Sequence, residues 1–578
     1  MAVATLTQRV VTADDAHPAK DRQSGLMSEQ ATPPQPPHGR ILEEPSATAA
    51  PLPANKPVST WAPLGTPTFR TLWCVTLVSN ICVWMNDVAA AWMMTSLTTS
   101  PVLVALVQTA STLPIFLFGL PSGALADILD RRKYFIFAQF WLALIAVLLC
   151  VVVALDVITP WLLLALVFAN GLGMAMRWPV FSALVPELVS KSHLSSAMAL
   201  NAVSMNVSRI IGPLLAGALI ASAGTMWVFI LNAALSILSG LVLLRWKREQ
   251  GPVSPLGRER LPSALRVGLQ FIKESPRMRA VIARTVVFFF MTTAIMALLP
   301  LTAKRFEVSW ISTAGAFTLL LASMGSGAVL GAMVLPRIRQ ALSGEKLVTV
   351  GTCLQALSIT GLALVPSLPL AVACMMVAGV SLVSTANTMG VRAQMALPNW
   401  VRARGMAAYL MSIMGGTAVG AAVWGKVASL TNVPTSLIAA AITGVVAMLL
   451  VQRFAVEREV LENLSPSKAW VPPQHQDPEA GRVVVHIEYI INPGKAKRFR
   501  TLMQESRRSR MRQGALQWRL LHSMERPERY VEEIIDESWT EHLRRFDRVT
   551  EADVALRELK LAFHVADTPP RVTRFFEA

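Results

Sequence analysis

One carboxylate stands out among the long apolar runs of this chain. Between about 68 and 453, Asp87 is the only acidic residue well inside a predicted membrane span. An ionised carboxylate in hydrocarbon is costly, so such a group usually faces a cavity or a partner and has a functional role. Asp87 is therefore a candidate for proton binding and release, or for contact with a cationic substrate. The alternative is a static ion pair with Arg177, Arg209 or Arg392.

Arginines inside predicted spans are the second set of candidates. Arg209 and Arg392 would give an anionic substrate the cationic contacts that it needs, and a buried structural pair is the alternative. Arg177 lies nearer one end of its span and can snorkel to the interface, as can Arg284 and Lys426. None of the eight histidines lies in a predicted span, which excludes a histidine proton relay. The sequence has no phosphate-binding glycine loop, so we expect an ion gradient to supply the energy.

The composition indicates a membrane setting for these residues. Of 578 residues, 53% are hydrophobic and 15% are charged, against roughly 25% charged in soluble globular proteins. The net charge is +17, but the basic residues fall in short loops between apolar runs, so the expected partner is the lipid bilayer and not nucleic acid. No metal, cofactor or disulfide is predicted, because the cysteines all lie in apolar stretches without metal-ligand spacing. These are Cys74, Cys82, Cys150, Cys353 and Cys374.

Twelve apolar segments near the length that crosses a bilayer are predicted as membrane helices. They lie at about 70–95, 101–124, 134–155, 161–185, 198–221, 225–244, 280–302, 310–335, 346–365, 368–395, 405–429 and 434–453. The predicted fold is an all-α membrane protein with two six-helix halves, 67–246 and 280–454. A basic central loop, 247–279, joins the halves.

Loop charge predicts the orientation, because cytoplasmic loops are enriched in Lys and Arg. The loop after the second segment holds Arg131, Arg132 and Lys133, and the central loop is strongly basic. The intervening loops have almost no basic residues, and only Lys304 and Arg305 break the pattern. We therefore expect a multi-pass membrane protein with both termini in the cytoplasm.

The two halves also share sequence features. Val185-Pro-Glu-Leu188 ends the fourth segment, and Leu397-Pro-Asn-Trp400 ends the tenth. Internal repeats are usual in secondary transporters, in which the substrate path lies between the halves.

The ends of the chain differ from the membrane part. Residues 1–66 are rich in Ala, Pro, Ser and Thr and are predicted to be a disordered tail. A polar linker, 455–480, leads to a soluble domain, 481–578. This domain has predicted strands at 483–490, 517–522, 529–538 and 572–576, with helices from about 495 to 512 and from about 540. The order β-α-β-β-α-β is typical of a small α+β ferredoxin-like domain.

The loop after the second segment resembles a signature of the major facilitator superfamily. It reads Gly123-Ala-Leu-Ala-Asp-Ile-Leu-Asp-Arg-Arg-Lys133, with a glycine, an aspartate and a basic cluster. The resemblance implies that Gly123 lets helices approach closely. It also implies that Asp127, Arg131 and Arg132 form a gating charge latch that breaks when the halves rock. Asp130 stands where the superfamily usually has glycine.

Three further stretches resemble the branch of that superfamily that contains the enterobactin exporter, the transmembrane secretion effectors. They are Leu184-Val-Pro-Glu-Leu188, Asn206-Val-Ser-Arg-Ile-Ile-Gly-Pro213 and Pro398-Asn-Trp-Val-Arg-Ala-Arg404. The resemblance implies transport of a siderophore, a drug or another small amphipathic molecule across the bacterial inner membrane.

A glycine and proline pattern in the fifth segment resembles the motif of the superfamily's antiporters and exporters. It runs Gly212-Pro-Leu-Leu-Ala-Gly217, where Pro213 kinks the helix and the small residues permit tight packing. Ala216 stands where the motif often has glycine, and a simple packing kink is the alternative interpretation. The pattern favours export.

The soluble domain resembles the ferredoxin-like domain of antibiotic-biosynthesis monooxygenases. The residues that carry this resemblance are Gly514-Ala-Leu-Gln-Trp518 and Glu537-Ser-Trp-Thr-Glu-His542-Leu-Arg544. Trp518 and His542 are candidates for lining a pocket in this domain. A structural or dimer-interface histidine is favoured over a catalytic one, so dimerisation or regulation is the expected role.

Together these features predict a secondary active transporter that works by alternating access, and not an enzyme. It would exchange a small-molecule substrate for protons, with Asp87 as the coupling residue. The alternatives are a membrane-anchored enzyme and a sensor, both using the C-terminal domain.

Overall fold

The computed structural model describes residues 61–190, 193–246, 261–306, 311–398, 400–455, 463–467 and 481–577. The predicted disordered tail, 1–66, lies outside the described residues up to position 60, and so does most of the predicted linker, 455–480.

The described residues contain twelve helices that are long and apolar enough to cross a membrane, as predicted. The first half contains α1 (Pro67–Leu97), α2 (Pro101–Ile128), α3 (Arg131–Ala154), α4 (Pro160–Leu188), α5 (Leu194–Ser222) and α6 (Thr225–Arg245). A shorter helix, α7 (Leu261–Glu274), follows. The second half contains α8 (Pro276–Ala303), α9 (Thr313–Ala341), α10 (Gly344–Leu364), α11 (Leu368–Met395), α12 (Arg402–Leu430) and α13 (Val433–Ala455).

Local sequence sets the ends of these helices. Proline occupies the first turn of α1, α2, α4, α8 and α11, where its missing N–H is not needed. Serine or threonine side chains accept a hydrogen bond from the first turns of α4, α8, α9 and α10. The capping residues are Thr159, Ser275, Ser312 and Ser343.

The central segment differs from the prediction of a loop over 247–279. Residues 261–274 form α7, and α8 begins at Pro276. Val267 and Phe271 are buried on one side of α7, at the four-residue spacing of a helix face. Enough apolar side chains alternate with the charges here to bury one face, although the stretch is too polar to cross a membrane.

The two halves pack together through α2 with α12 and through α5 with α9. Thr109 Oγ1 donates to the carbonyl of Ala418 at 2.9 Å, across the α2–α12 pair. Thr318 Oγ1 donates to the carbonyl of Gly217 at 2.8 Å, across the α5–α9 pair. Small residues at these contacts let the helix backbones approach closely, as is usual between membrane helices.

The end of the bundle that carries Arg131, Arg132 and Lys133 is called the basic end below. At the opposite end the halves are in direct contact. Lys304 Nζ donates to the carbonyl of Thr95 at 2.8 Å, and the rings of Trp92 and Phe317 stack with centroids 5.0 Å apart. Arg305 Nη1 donates to the carbonyl of Ala363 at 3.0 Å. The two basic residues that broke the loop pattern therefore cap carbonyls near the last turns of α1 and α10, where a cation is favoured.

The tail domain (481–577) is a four-stranded antiparallel sheet with helices, which confirms the predicted fold class. Its elements are β1 (Val483–Ile490), α14 (Ala496–Arg512), β2 (Gln517–His522), β3 (Arg529–Asp536), α15 (Trp539–Asp547), α16 (Glu551–Leu561) and β4 (Arg571–Phe576). The strand order is β2-β3-β1-β4. The second predicted helix is split in two, because Thr550 and Asp553 form a capping box that starts α16.

Candidate functional site

Asp87 lies in the bundle interior at a cavity that both halves line. Its Oδ1 accepts a hydrogen bond from Ser111 Oγ of α2 at 2.9 Å. The first half contributes Asp87, Ala91, Val104, Val107, Gln108 and Ser111 to the cavity wall, and the second half contributes Met296 and Ala297. Asp87 therefore lies at the seam between the two halves.

Asp87 forms no ion pair within the described part of the chain; its one side-chain partner there is Ser111. The static pair with Arg177, Arg209 or Arg392 that the sequence left open is not formed. A carboxylate inside the bundle without a cationic neighbour is costly while it is ionised. Protonation neutralises the carboxylate and so removes this cost.

Arg177 is buried inside the first half, at 1% exposure. Its Nη2 donates to Asn80 Oδ1 and to the carbonyl of Thr76, both in α1. The sequence predicted a snorkelling side chain near a span end, but the guanidinium instead joins α4 to α1. Among the described residues, its hydrogen-bond partners are neutral oxygen atoms and not a carboxylate.

Arg209 lies at the middle of α5, beside residues of both halves. Its guanidinium carbon is 5.9 Å from the ring centroid of Trp84, within the range of a cation–π contact. Gly212, one turn on, makes this approach possible, because a Cβ there would lie 2.5 Å from Trp84 Cβ. Tyr409 of α12 interacts electrostatically with Arg209 and donates its hydroxyl to the carbonyl of Ala386 at 3.2 Å. This arrangement places a cation against one indole ring and within electrostatic reach of a tyrosine.

Arg392 lies elsewhere. It is in the last turn of α11, at the basic end, where a Cβ on Gly344 would come within 3.3 Å of its Nη1. Arg209 is at mid-span, so the structure does not bring these two predicted residues together.

The loop signature has one clear structural role. Asp130, the departure from the superfamily pattern, caps α3, and its carboxylate accepts from the backbone N–H of Lys133 at 3.0 Å. Arg132 Nη2 donates to the carbonyl of Leu244 at 3.0 Å, near the end of α6. A Cβ at Gly123 would make only an ordinary 3.7 Å contact with Pro179. The side chain of Asp127 lies outside the described residues, and Arg131 is the first residue of α3.

The exporter-like motif in α5 contacts one helix of each half. Gly212 packs against Trp84 of α1, and Gly217 packs against Thr318 of α9. A Cβ at Gly217 would lie 2.8 Å from both Thr318 Oγ1 and Thr318 Cγ2. Pro213 lies inside the helix between these two contacts. The motif therefore combines packing within the first half with a contact across the seam.

In the tail domain, His542 is held on both ring nitrogens. Nδ1 lies 2.7 Å from Asp536 Oδ2, and Arg574 Nε donates to Nε2 at 3.3 Å. Arg545 Nη1 donates to both oxygens of Asp536, at 2.8 and 2.7 Å. Burial lowers the pKa of His542, although its contact with Asp536 acts in the opposite direction. These contacts favour a structural histidine.

Trp518 belongs to a second buried network. Its Nε1 donates to Glu532 Oε1 at 3.0 Å, and Lys560 Nζ lies 3.3 Å from the other oxygen. Arg510 Nε lies 3.5 Å from Glu532 Oε1, and Ser506 Oγ donates a hydrogen bond to the same oxygen at 2.8 Å. Burial alone would raise the pKa of Glu532, but the two cations and the hydrogen bonds hold it well below its usual range. Trp518 and His542 thus have separate partners.

Comparison with known proteins agrees with this architecture. The family model described as "Transmembrane secretion effector" matches residues 58–578. The uncharacterized MFS-type transporter YfiS of Bacillus subtilis (strain 168) is 28% identical over 210 residues, which are 36% of this chain and 49% of that protein. The match thus spans about half the length of this relative. The enterobactin exporter EntS of Salmonella choleraesuis (strain SC-B67) is 26% identical over 313 residues, 54% of this chain and 74% of that protein.

Solved transporter structures share the fold. The nucleoside transporter NupG superposes with a TM-score of 0.55 at 14% identity, covering 68% of this chain and 100% of that one. A bacterial homolog of the human lysosomal transporter Spinster, inward-facing and occupied, gives 0.54 at 16% identity, covering 68% and 97%. Because the family model covers the twelve helices and the tail, the chain belongs to the transmembrane secretion effector family of major facilitator superfamily transporters.

Proposed function

We propose that the chain is a proton-coupled exporter that moves a small amphipathic molecule out of the cytoplasm by alternating access. The observation that carries the proposal is Asp87, a carboxylate without an ion-pair partner among the described residues, at a cavity lined by both halves. Such intramembrane carboxylates mark proton and ion pathways in transporters. The proton would bind to Asp87 when the cavity opens to the outside and leave it when the cavity opens to the cytoplasm.

The coupling follows from where the charge sits. With Asp87 ionised, closing the seam around it removes a charge from water without a compensating cation, which is costly. Protonation removes that cost, so the protonated form returns through the closed state more readily than the ionised form. A substrate carried in the outward direction and a proton carried inward then use the same rocking motion.

The substrate class is indicated by Arg209, Trp84 and Tyr409. A guanidinium against an indole ring and within electrostatic reach of a tyrosine suits an anionic group on an aromatic or amphipathic molecule. The name of the Salmonella relative, an enterobactin exporter, adds to the case for a siderophore. A drug of similar chemistry fits the same contacts. We assign Arg177 to the polar path in the first half and Arg392 to the basic end.

The protein is a multi-pass inner-membrane protein, and we place its basic end in the cytoplasm. Arg132, held on the last turn of α6, is then part of the cytoplasmic gate together with Asp127 and Arg131. Lys304 and Arg305, at the opposite end, do not contradict this orientation, because each is bonded to a helix carbonyl.

For the tail domain we propose a ferredoxin-like fold related to the antibiotic-biosynthesis monooxygenases, with dimerisation as one role. The strand order β2-β3-β1-β4 supports the fold, and the sheet face that carries His486, Arg519 and Phe575 is available for pairing. A tail enzyme or ligand sensor is less well supported, because Trp518 and His542 already have buried partners.

A cellular accumulation assay tests the proposed function. Wild-type, a null strain, Asp87→Asn and Asp156→Asn cells, with matched expression, would be exposed to a panel of siderophores and amphipathic drugs. Asp156 lies in an exposed loop, so its variant makes the same chemical change outside the membrane. We expect at least one compound to accumulate less in the wild type and in Asp156→Asn than in the null strain and Asp87→Asn. Equal export by Asp87→Asn would refute the coupling role, and no difference for any compound would refute export.

A further inference from the structure

The helix between the halves, α7, presents a polar face in addition to its buried apolar one. Arg266, Gln270 and Glu274 follow one another at four-residue spacing, which places them in one row along the helix. Val267 and Phe271, on a neighbouring row, are buried. The three polar residues are called the docking face below.

Every member of the docking face contacts the tail domain. The contacts are Arg266 Nη2 with Glu537 Oε2 (2.7 Å), Gln270 Nε2 with the carbonyl of Ala515 (2.6 Å) and Glu274 Oε2 with Arg507 Nη1 (3.6 Å). The backbone at Gly514 comes close to α7, because a Cβ there would lie 3.0 Å from Val267 Cγ2. Gly514 has a φ of +109°, which favours glycine at this turn.

A second contact joins the tail domain to Trp400, just before the start of α12. The guanidinium carbon of Arg548 lies 5.2 Å from the ring centroid of Trp400, and Phe271 of α7 meets the same ring edge-on at 5.7 Å. Trp400 precedes α12 by two residues. Since α12 carries Tyr409 and packs against α2 of the other half, the tail is connected to the seam through one helix.

We propose that the tail domain is a regulatory strap: by docking on α7 and Trp400 it stabilises the conformation in which the halves are closed at the end opposite the basic end. The structure shows the docked tail together with that closed end. The proposed coupling is reciprocal by linkage, so undocking would favour opening by the same factor by which docking favours closure. This proposal rests on the proposed function in one respect, because it assumes that the two halves move relative to each other.

Charge reversal at the salt bridge tests this inference in the full-length protein. Arg266→Glu and Glu537→Arg each place like charges together, and the double variant restores an ion pair with the signs exchanged. Lys273→Glu is the control, because Lys273 lies on the same helix but is exposed and off the docking face. Hydrogen exchange over 261–274 reports docking. Opening is reported by maleimide labelling of Thr95→Cys in a background without native cysteines, since Thr95 is buried beneath the Lys304 contact.

Each single reversal should deprotect 261–274 and speed Thr95→Cys labelling by about 5-fold or more, the lower end of usual allosteric couplings. The double variant and Lys273→Glu should label like the wild type. Lost protection with an unchanged or slower labelling rate would refute the strap, and retained protection in both single reversals would refute the docking face. If Thr95→Cys labelling responds to substitutions at the seam between the halves but not to undocking of the tail, the result would support alternating access and refute the strap.

Discussion

Replacing Gly217 with alanine should push the bundle toward opening at the end opposite the basic end. The new Cβ would lie 2.8 Å from two atoms of Thr318, which belongs to the other half and is held by its bond to the Gly217 carbonyl. Overpacking of this kind costs about 1–3 kcal/mol. The gain in helix propensity from Gly to Ala applies equally to both conformations and cancels.

The expected size follows from that cost. Because the collision exists only where α5 and α9 touch, the closed state alone is destabilised. At about 1.4 kcal/mol per tenfold change, a cost of about 1–3 kcal/mol shifts the equilibrium toward the open state by about 5-fold to 150-fold. Labelling of Thr95→Cys by a hydrophilic maleimide in detergent-purified protein should accelerate by a factor in this range.

A second substitution separates the collision from general damage. Thr318→Ala removes both atoms that lie at 2.8 Å, so Gly217→Ala with Thr318→Ala should label more nearly like the wild type. Gly119→Ala is the control, because a Cβ there meets nothing within 4 Å. A monodisperse Gly217→Ala protein that labels at the wild-type rate would refute the idea that this contact holds the closed state.

Three further predictions concern single side chains. Lys304→Met should also speed Thr95→Cys labelling, but less than Gly217→Ala does. An exposed cation at a helix carbonyl contributes only about 0.3–1 kcal/mol. A larger effect would contradict the assigned contact between Lys304 and the Thr95 carbonyl. Asp130→Ala should deprotect the first turn of α3 in hydrogen exchange more than Asp130→Gly does. Ala in place of a capping Asp costs about 1 kcal/mol of helix stability, whereas Gly costs about a few tenths. Equal protection in the two variants would show that the cap is unimportant. Burial holds the pKa of His542 below its unfolded value despite Asp536, so the folded tail should lose stability as pH falls below about 6.5. His542→Gln should flatten that dependence in exchange measurements corrected for intrinsic rates, and an unchanged dependence would refute the assignment.

The membrane helices were predictable because hydropathy alone constrains them. All twelve spans were found from run length, since a bilayer requires about 20 apolar residues per crossing. The strands of the tail domain were also located closely: Gln517–His522 matches the predicted strand, and Arg529–Asp536 ends two residues early. Regular alternation and flanking turn residues are local signals, and they need no knowledge of the tertiary fold.

Partners distant in sequence were not predictable. Its position near a span end predicts that Arg284 snorkels, but it is 4% exposed and its Nη2 lies 2.6 Å from Glu345 Oε1 of α10. Nothing near Arg284 in the sequence indicates Glu345, which is 61 positions away. Glu532 was likewise hidden, because a charged residue on an alternating strand normally faces water. Its burial becomes favourable because Lys560, Arg510 and the hydrogen bonds from Trp518 and Ser506 meet it in the folded domain.

The central site was predicted in part. The location of Asp87 inside a span was readable from the sequence, but its lack of an ion pair among the described residues and the two-sided cavity required the packing of α1, α2 and α8. Helix α7 was missed because its apolar residues are too few for a span. The role of its polar row, Arg266, Gln270 and Glu274, can be identified only from the contacts that the row makes with the tail domain.

The most direct test of proton coupling through Asp87 is transport in proteoliposomes, with the compound that the accumulation assay identifies. An imposed pH gradient should drive net transport by the wild type. Asp87→Asn should still exchange substrate without a gradient, yet its net transport should not respond to the gradient. Gradient-driven transport by Asp87→Asn at the wild-type rate would contradict the account, because the proton would then cross at another residue.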